Sequence, residues 1–133
     1  MAEVPTYNAK DTVVTVGGVV VKGFQDGDMV SYTQNENRVT AEVDAQGFAS
    51  VSINNNRLGQ VTINLSGNSA SHKYLNGIAN ANKSVPIVIK TPSEKISATQ
   101  AFINKPADGQ FGKQTPKRTY TFTALDMDVS VTK

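Results

Sequence analysis

The sequence predicts a mainly β protein, an antiparallel β-sandwich or partly closed barrel with one flanking α-helix. Short segments in which polar and apolar residues alternate recur along the chain, and turn residues separate them. Only one stretch has helical periodicity. The 133 residues include no cysteine, so neither a disulfide framework nor a thiolate metal site is expected. The length fits one core, and we expect a single domain over residues 1–133.

Ten alternating segments are strand candidates. Gly17 and Gly18, which tolerate positive φ, separate the first two and favour a tight hairpin. The turn at residues 44–47 joins the fourth and fifth into a second hairpin with one wet face. In chain order the candidates are residues 12–16, 19–22, 29–33, 38–43, 48–53, 60–66, 85–90, 95–104, 118–124 and 126–132.

One helix is predicted over residues 69–80, with Asn68 or Ser69 available as the N-cap. Asn76, Gly77 and Asn80 are mediocre helix formers, so packing on the sheet must hold the segment. His72 lies roughly 120° from the centre of the apolar stripe and is expected to face away from the core. That stripe consists of Ala70, Tyr74, Leu75, Ile78 and Ala81.

Charge and hydropathy disfavour two functional classes. Thirteen basic and eleven acidic residues give a formal net charge of +2, which is too small for the phosphate neutralisation of tight nucleic-acid binding. The N-terminus lacks a basic segment followed by an apolar run, and the longest apolar stretch, residues 13–21, is interrupted by Thr15, Gly17 and Gly18. Secretion and membrane anchoring are therefore not expected.

His72, the only histidine, is the first candidate for catalysis. A catalytic histidine needs a nucleophile and an orienting carboxylate within hydrogen-bond reach. Ser69 and Ser71 are better explained as residues of the first helical turn. Residues 26–28, Asp-Gly-Asp, lack the further oxygen ligands of a calcium loop and are better explained as a turn.

Asp126 and Asp128 lie two apart on one predicted strand face. Their separation of about 7 Å is one that a pair of glycosidase carboxylates can have. Nothing in the sequence indicates how one of them would stay protonated, so a solvated edge is the better interpretation. We predict no catalytic, cofactor-binding or metal-binding residue.

A basic loop covers residues 105–116 and contains Phe111. A nucleic-acid site would interleave several aromatic residues for base stacking, so one phenylalanine is better explained as an apolar anchor for a partner surface. The cations that cluster around the loop are Lys105, Lys113, Lys117 and Arg118.

Three stretches carry a resemblance to a known family: "YNAKDTVVTVGGVVVKGFQDGDMVS" at residues 7–31, "GQVTINLSGNSASHKYLNGIA" at 59–79 and "AFINKPADGQFGKQTPKRTYTFTALDMDV" at 101–129. Together they resemble the bacteriophage tail tube proteins, of the compact kind found in phages with contractile tails. In order, they match that family's opening hairpin with its glycine-aspartate turn, its strand and "SAS" helix, and its "KPAD" loop before the final strand pair. The resemblance covers nearly the whole chain.

The resemblance implies a tail tube fold and a structural virion protein, not an enzyme. It implies hexameric rings that stack into the tube through which the genome and ejected proteins pass, an architecture shared with the inner tube of type VI secretion systems. The implied partners are further copies of the chain, the tail sheath, the baseplate and the tail terminator. Double-stranded DNA would pass without specific binding. The implied location is the phage tail, after assembly in the host cytoplasm, and no cofactor is implied.

Alternation and turn composition suggest which residues serve such an assembly. If the hairpin of segments 38–43 and 48–53 lines the lumen, its small polar groups should not hold phosphate. Loops 34–37, 54–59 and 105–116 and an N-terminal arm, residues 1–10, are candidate contacts. The candidate residues are Thr40, Glu42, Ser50 and Ser52 for the lumen; Asn35, Arg57, Phe111 and Lys113 for subunit or ring contacts; and Lys73, Asn76 and Asn80 on the exposed helix face for the sheath.

Two other classes remain open at this point. One is a non-enzymatic virion β-sandwich module, either a baseplate or tube-terminating ring or a receptor- or carbohydrate-binding domain. The other is a small glycoside hydrolase that uses Asp126 and Asp128. The first would need exposed aromatics for sugar stacking, and the nine aromatic residues lie mostly at core-like positions.

Overall fold

The computed structural model describes residues 7–25 and 27–131 and contains ten strands and one α-helix there. All ten predicted strands and the helix are present, with ends that differ by up to two residues. Residues 1–6 of the predicted arm, Asp26 and Thr132 lie outside the described residues. The elements are a 3-10 turn (Ala9–Asp11), β1 (Val13–Val16), β2 (Val19–Val20), β3 (Val30–Gln34), β4 (Val39–Val43), β5 (Ala49–Ile53), β6 (Gly59–Ser66), α1 (Ala70–Ala81), β7 (Val85–Lys90), β8 (Glu94–Ile103), β9 (Lys117–Ala124) and β10 (Met127–Val131).

Eight strands form one antiparallel sheet, and β4 and β5 form a separate two-stranded sheet. The order in the large sheet is β2-β1-β7-β8-β9-β6-β3, with β10 beside β8. The long strand β8 has β7 along one edge, while its residues 94–98 pair with β10 and its residues 101–103 pair with β9. Within the described residues, the end strands β2 and β3 are not paired with each other, so the sheet does not close into a barrel. The prediction of a mainly β, antiparallel fold with one flanking helix is confirmed.

Alternation along the central strands separates an apolar face from a polar one. Val61, Ile63 and Leu65 of β6 are buried, as are Tyr120 and Phe122 of β9, and burial of each such side chain contributes about 1.5–3 kcal/mol. The opposite face carries mainly hydroxyl and amide side chains, with one cation, Lys117, at the start of β9. Its uncharged residues include Ser31 and Thr33 of β3, Gln60, Thr62 and Asn64 of β6, and Thr119, Thr121 and Thr123 of β9.

The helix α1 packs on the sheet with a stripe that differs from the predicted one. Ser69, one of the two predicted candidates, is the N-cap, and its side chain accepts a hydrogen bond from the Ser71 N–H. Ala70 and Ala81 of the predicted stripe are exposed. The buried helix residues are Ser71, Leu75, Ile78 and Ala79, so the buried stripe is rotated by roughly 70° at 100° per residue.

This rotation overturns the predicted orientation of His72. The ring lies over the sheet, where its Nδ1 is 2.7 Å from the hydroxyl of Tyr120, a fully buried residue. The expectation that His72 faces away from the core is therefore wrong, because Ser71 and Ala79 replace Ala70 and Ala81 in the buried stripe. In the described ranges, no helix is long and apolar enough to span a membrane.

Candidate assembly surfaces

The hairpin of β4 and β5 carries the four residues predicted to line a lumen. The register pairs Thr40 with Ser52 and Glu42 with Ser50. Because directly paired residues lie on the same face of a hairpin, all four side chains share one face, and all are exposed. The structure therefore brings the predicted set together. A lumen role for it stays a prediction.

The opposite face of this hairpin is apolar and exposed. It carries Val39, Val43, Val51 and Ile53, with exposed fractions of 57–74%. A two-stranded hairpin alone is marginally stable in water, and no other described element of the subunit covers this face. Alternation identified the face, but it predicted neither that the face is exposed nor that the hairpin leaves the main sheet.

Polar contacts fix the base of the hairpin. The Glu36 carboxylate accepts hydrogen bonds from Asn54 Nδ2 at 3.0 Å and Asn56 Nδ2 at 2.7 Å. These two bonds lower the pKa of the Glu36 carboxyl below its ordinary value. Arg38 Nε donates to Gln34 Oε1 at 3.1 Å. Exposed side-chain hydrogen bonds therefore link the two segments at the base of the hairpin.

Two predicted contact residues, Asn35 and Arg57, lie at the same base and are exposed. The Asn35 N–H donates to the Leu58 carbonyl at 3.0 Å, and the Arg57 carbonyl accepts from the Met127 N–H at 3.1 Å. Both backbones are therefore tied to neighbouring segments, while both side chains remain available for a contact with another subunit.

The other two predicted contact residues, Phe111 and Lys113, lie on loop 105–116. Phe111 is 86% exposed, and its ring centroid is 5.1 Å from the guanidinium carbon of Arg118. Arg118 is buried, with 7% of its surface exposed, and its Nη1 donates to the Lys117 carbonyl at 2.9 Å. This cation–π contact gives the loop an anchor on β9.

The structure does not assemble the catalytic arrangement considered for His72. Ser71 Oγ accepts from the Lys22 N–H at 2.9 Å, and Ser69 Oγ donates to the Lys22 carbonyl. His72 instead faces Tyr120, and burial lowers the pKa of its imidazole, with a smaller effect from the charge of Arg118. Burial likewise raises the pKa of the Tyr120 hydroxyl. The two serines thus hold the helix in place.

The acidic pair also differs from its predicted placement. Asp126 lies in the turn before β10, and Asp128 lies in the strand. The strand begins at Met127, so Asp126 lies just outside the strand in which it was predicted. The physical reason is that the chain must turn after β9 before it can pair with β8. Among residues 7–25 and 27–131, no three side chains of His, Cys, Asp or Glu come together in a metal-binding arrangement.

The helix face predicted for the sheath is largely accessible. Lys73 and Asn80 are exposed, and Asn76 is half-buried. A sheath contact for these residues stays a prediction.

The model of one protein family, described as the bacteriophage PhiTE tail tube protein, matches residues 1–131. The chain belongs to this tail tube family. The family resemblance inferred from the three sequence stretches is thereby confirmed, and it makes the protein a structural component of the phage virion tail. A search of curated proteins gave no match.

Several solved structures contain a chain of similar fold. A chain in the sheath-tube complex of the extracellular contractile injection system PVC, in the extended state, is 14% identical with a TM-score of 0.65, and the match covers 95% of this chain and 92% of that one. The tube-terminating cap of the anti-feeding prophage is 14% identical, with a TM-score of 0.62 and coverage of 98% and 95%. A chain in the virion of a native gene transfer agent is 10% identical, with a TM-score of 0.67 and coverage of 96% and 100%. At these identities the likeness concerns the fold.

Proposed function

We propose that this tail tube protein assembles into hexameric rings that stack into a tube for genome ejection. The observation that carries the proposal is the apolar hairpin face of Val39, Val43, Val51 and Ile53, with its exposed fractions of 57–74%. Exposed apolar patches of this kind mark surfaces that bind other proteins. A second copy of the chain is the natural occupant, because closed rings of identical subunits also cover free sheet edges.

The lumen is assigned in this proposal to Thr40, Ser50 and Ser52, on the polar face of the hairpin, whereas Glu42, at the outer end of that face, is left for a subunit contact. With the apolar face against a neighbouring subunit, the three lumen side chains stay in water. The outer face of β3, β6 and β9 is less suitable as a lumen wall, because Lys105 and Lys117 lie beside its hydroxyl and amide side chains. The polar face of the hairpin carries no lysine, and such a wall lets DNA pass because it does not neutralise phosphate.

Further contacts follow from this arrangement. The exposed helix residues Lys73, Asn76 and Asn80 are proposed to face a tail sheath, and Asn35, Arg57, Phe111 and Lys113 to contact neighbouring subunits or rings. Baseplate and terminator proteins would occupy the two ends of the tube. Assembly would take place in the host cytoplasm, and no catalytic step is part of the proposal. The sheath-tube complex of similar fold supports the sheath contact.

Electron microscopy and native mass measurement of the concentrated protein test the proposal. Sixfold rings or stacked tubes are expected, and their amount should rise with protein concentration. A strict monomer at all concentrations would contradict the proposal. A single ring that never stacks would favour the second candidate, a tube-terminating ring, which the similar fold of the anti-feeding prophage cap supports.

Cysteine labelling tests the lumen assignment, because the chain has no cysteine of its own. In assembled tubes, Ser50→Cys should react with a small maleimide but not with a maleimide carried by a large protein. Lys73→Cys on the helix is the matched control and should react with both. Equal reaction of Ser50→Cys with the large reagent would overturn the assignment, whereas the tube itself would stand.

A further inference from the structure

We propose that the basic loop of one subunit binds the acidic outer part of the hairpin of the next copy. This inference rests on the proposed function, because it names the two surfaces that meet when identical subunits assemble. Three observations carry it: the opposite charges of the two surfaces, a buried guanidinium without a carboxylate partner, and the position of the surfaces at opposite ends of the subunit.

The first surface, the basic loop surface, consists of residues 105–118. It carries four cations and one acid, Asp108, and therefore a formal charge of +3. The acid is engaged within the surface, since Lys105 Nζ lies 3.4 Å from Asp108 Oδ1. Lys113 and Lys117 are exposed. The surface therefore presents a positive field together with the exposed ring of Phe111.

Arg118 lies beneath this surface and lacks an acidic partner. Its guanidinium donates to one backbone carbonyl and contacts the Phe111 ring, and among the described residues it forms no ion pair with a carboxylate. A cationic residue with only 7% of its surface exposed is costly to leave without a charge partner. A carboxylate from another molecule beside Phe111 would compensate it, and such buried arginine and aromatic pairs are frequent binding hot spots.

The second surface, the distal hairpin, consists of residues 42–48. It contains Glu42 and Asp44 and no cation, so its formal charge is −2. Phe48 at its tip is 71% exposed. It therefore offers negative charge and apolar area together, which are the two properties that complement the basic loop surface.

The two surfaces join the main sheet at opposite ends of β6. The hairpin leaves the sheet where Gly59 pairs with Ala124, and the basic loop enters β9 where Ser66 pairs with Lys117. These two ends of β6 are seven residue steps, or about 23 Å, apart at 3.3 Å per residue. Complementary surfaces at opposite ends of one molecule produce a head-to-tail contact, which repeats from copy to copy.

Charge reversal on both surfaces tests the contact. The hairpin variant is Glu42→Lys with Asp44→Asn; the asparagine keeps the acceptor that Asp44 Oδ1 offers to the N–H groups of Gln46 and Phe48 at 2.8 and 2.9 Å. The loop variant is Lys113→Glu with Lys117→Glu. In low salt, each should lower the sedimentable fraction at least about tenfold, and the combination should restore it, because opposed like charges disfavour a contact by more than 1.4 kcal/mol.

The matched control is Lys73→Glu with Lys83→Glu, which changes the net charge as much as the loop variant but lies on and after the helix. It should assemble like the parent. Thermal melts establish that each variant is folded, and Lys113→Gln with Lys117→Gln replaces the loop variant if it does not fold. Parent-like assembly of the reversal variants, or no recovery in the combination, would overturn the contact while the tube stands. A parent that never assembles would overturn the proposed function, and this contact with it.

Discussion

The imidazole of His72 lies between the helix and the sheet, where Tyr120 supplies its side-chain hydrogen bond. The Tyr120 hydroxyl is 2.7 Å from His72 Nδ1 and 3.2 Å from the His72 carbonyl oxygen. Arg118 is the nearby charge that acts on both rings. Because burial and this cation disfavour the imidazolium, the folded protein holds His72 neutral at a pH where the unfolded chain begins to take up a proton.

We predict that stability falls as the pH is lowered through the titration range of His72. The pKa of His72 in the folded state is below the ordinary value of about 6.5, so the unfolded state binds the proton first and stability is lost as the pH falls below about 6.5. The melting temperature of the parent should therefore drop more between pH 7.5 and pH 5.5 than that of His72→Gln, whose side chain does not titrate. Parallel pH profiles of the two proteins would contradict this account.

At the scale of elements, the "SAS" motif connects the start of the helix to the chain after β2 through hydrogen bonds. Ser69 and Ser71 bind both backbone polar groups of Lys22: the Ser69 hydroxyl donates to its carbonyl, and the Ser71 hydroxyl accepts from its N–H. Ser69 also caps the helix. The motif therefore joins α1 to the chain after β2 and fixes where the helix begins, although Asn76, Gly77 and Asn80 favour helix formation poorly.

We predict that loss of either hydroxyl destabilises the subunit. Ser71→Ala leaves the part-buried N–H of Lys22 without its partner and should cost about 1–3 kcal/mol in the free energy of unfolding. Ser69→Ala removes the cap and should cost about 0.5–2 kcal/mol. Urea unfolding of the unassembled subunit measures both values. Ser31→Ala on the exposed face of β3 is the control and should stay within about 0.5 kcal/mol of the parent; equal values for all three variants would contradict the role of the motif.

These same elements mark how far the sequence could predict the structure. The strands were predictable because burial of one face imposes alternation, as in Val61, Ile63 and Leu65. The buried stripe of α1 was mispredicted because periodicity counts Ala70 and Ala81 as apolar and cannot anticipate that the Ser71 hydroxyl is needed at Lys22. Alternation also assigned the two faces of the β4–β5 hairpin correctly, but it carries no information on what covers a face.

At the scale of the whole molecule, the subunit has two different ends. One bears the hairpin, with its apolar face and the acids Glu42 and Asp44, and the other bears the basic loop with Phe111. The family followed from the order of three motifs along the chain. The proposed contact between the two ends could not be predicted in this way. The positions of distant charges depend on which strands are neighbours, and the sequence alone does not determine the strand order.

The apolar hairpin face provides the sharpest prediction for the assembled state. Val51→Thr with Ile53→Thr keeps β-branched side chains that suit a strand but makes the face polar. Because these side chains are 64% and 74% exposed in the subunit, its melting temperature should stay within about 2 °C of the parent, since exposed substitutions change stability little. The protein concentration for half-maximal tube formation should rise at least about tenfold, because apolar area that assembly removes from water contributes about 25 cal/mol per Å². Light scattering against concentration measures this shift, and Ser50→Thr with Ser52→Thr on the polar face of the same strand is the control.

Parent-like assembly of the apolar-face variant would mean that this face lies outside the subunit contacts. Equal impairment of the control would mean that assembly requires the hairpin as a whole and not its apolar face.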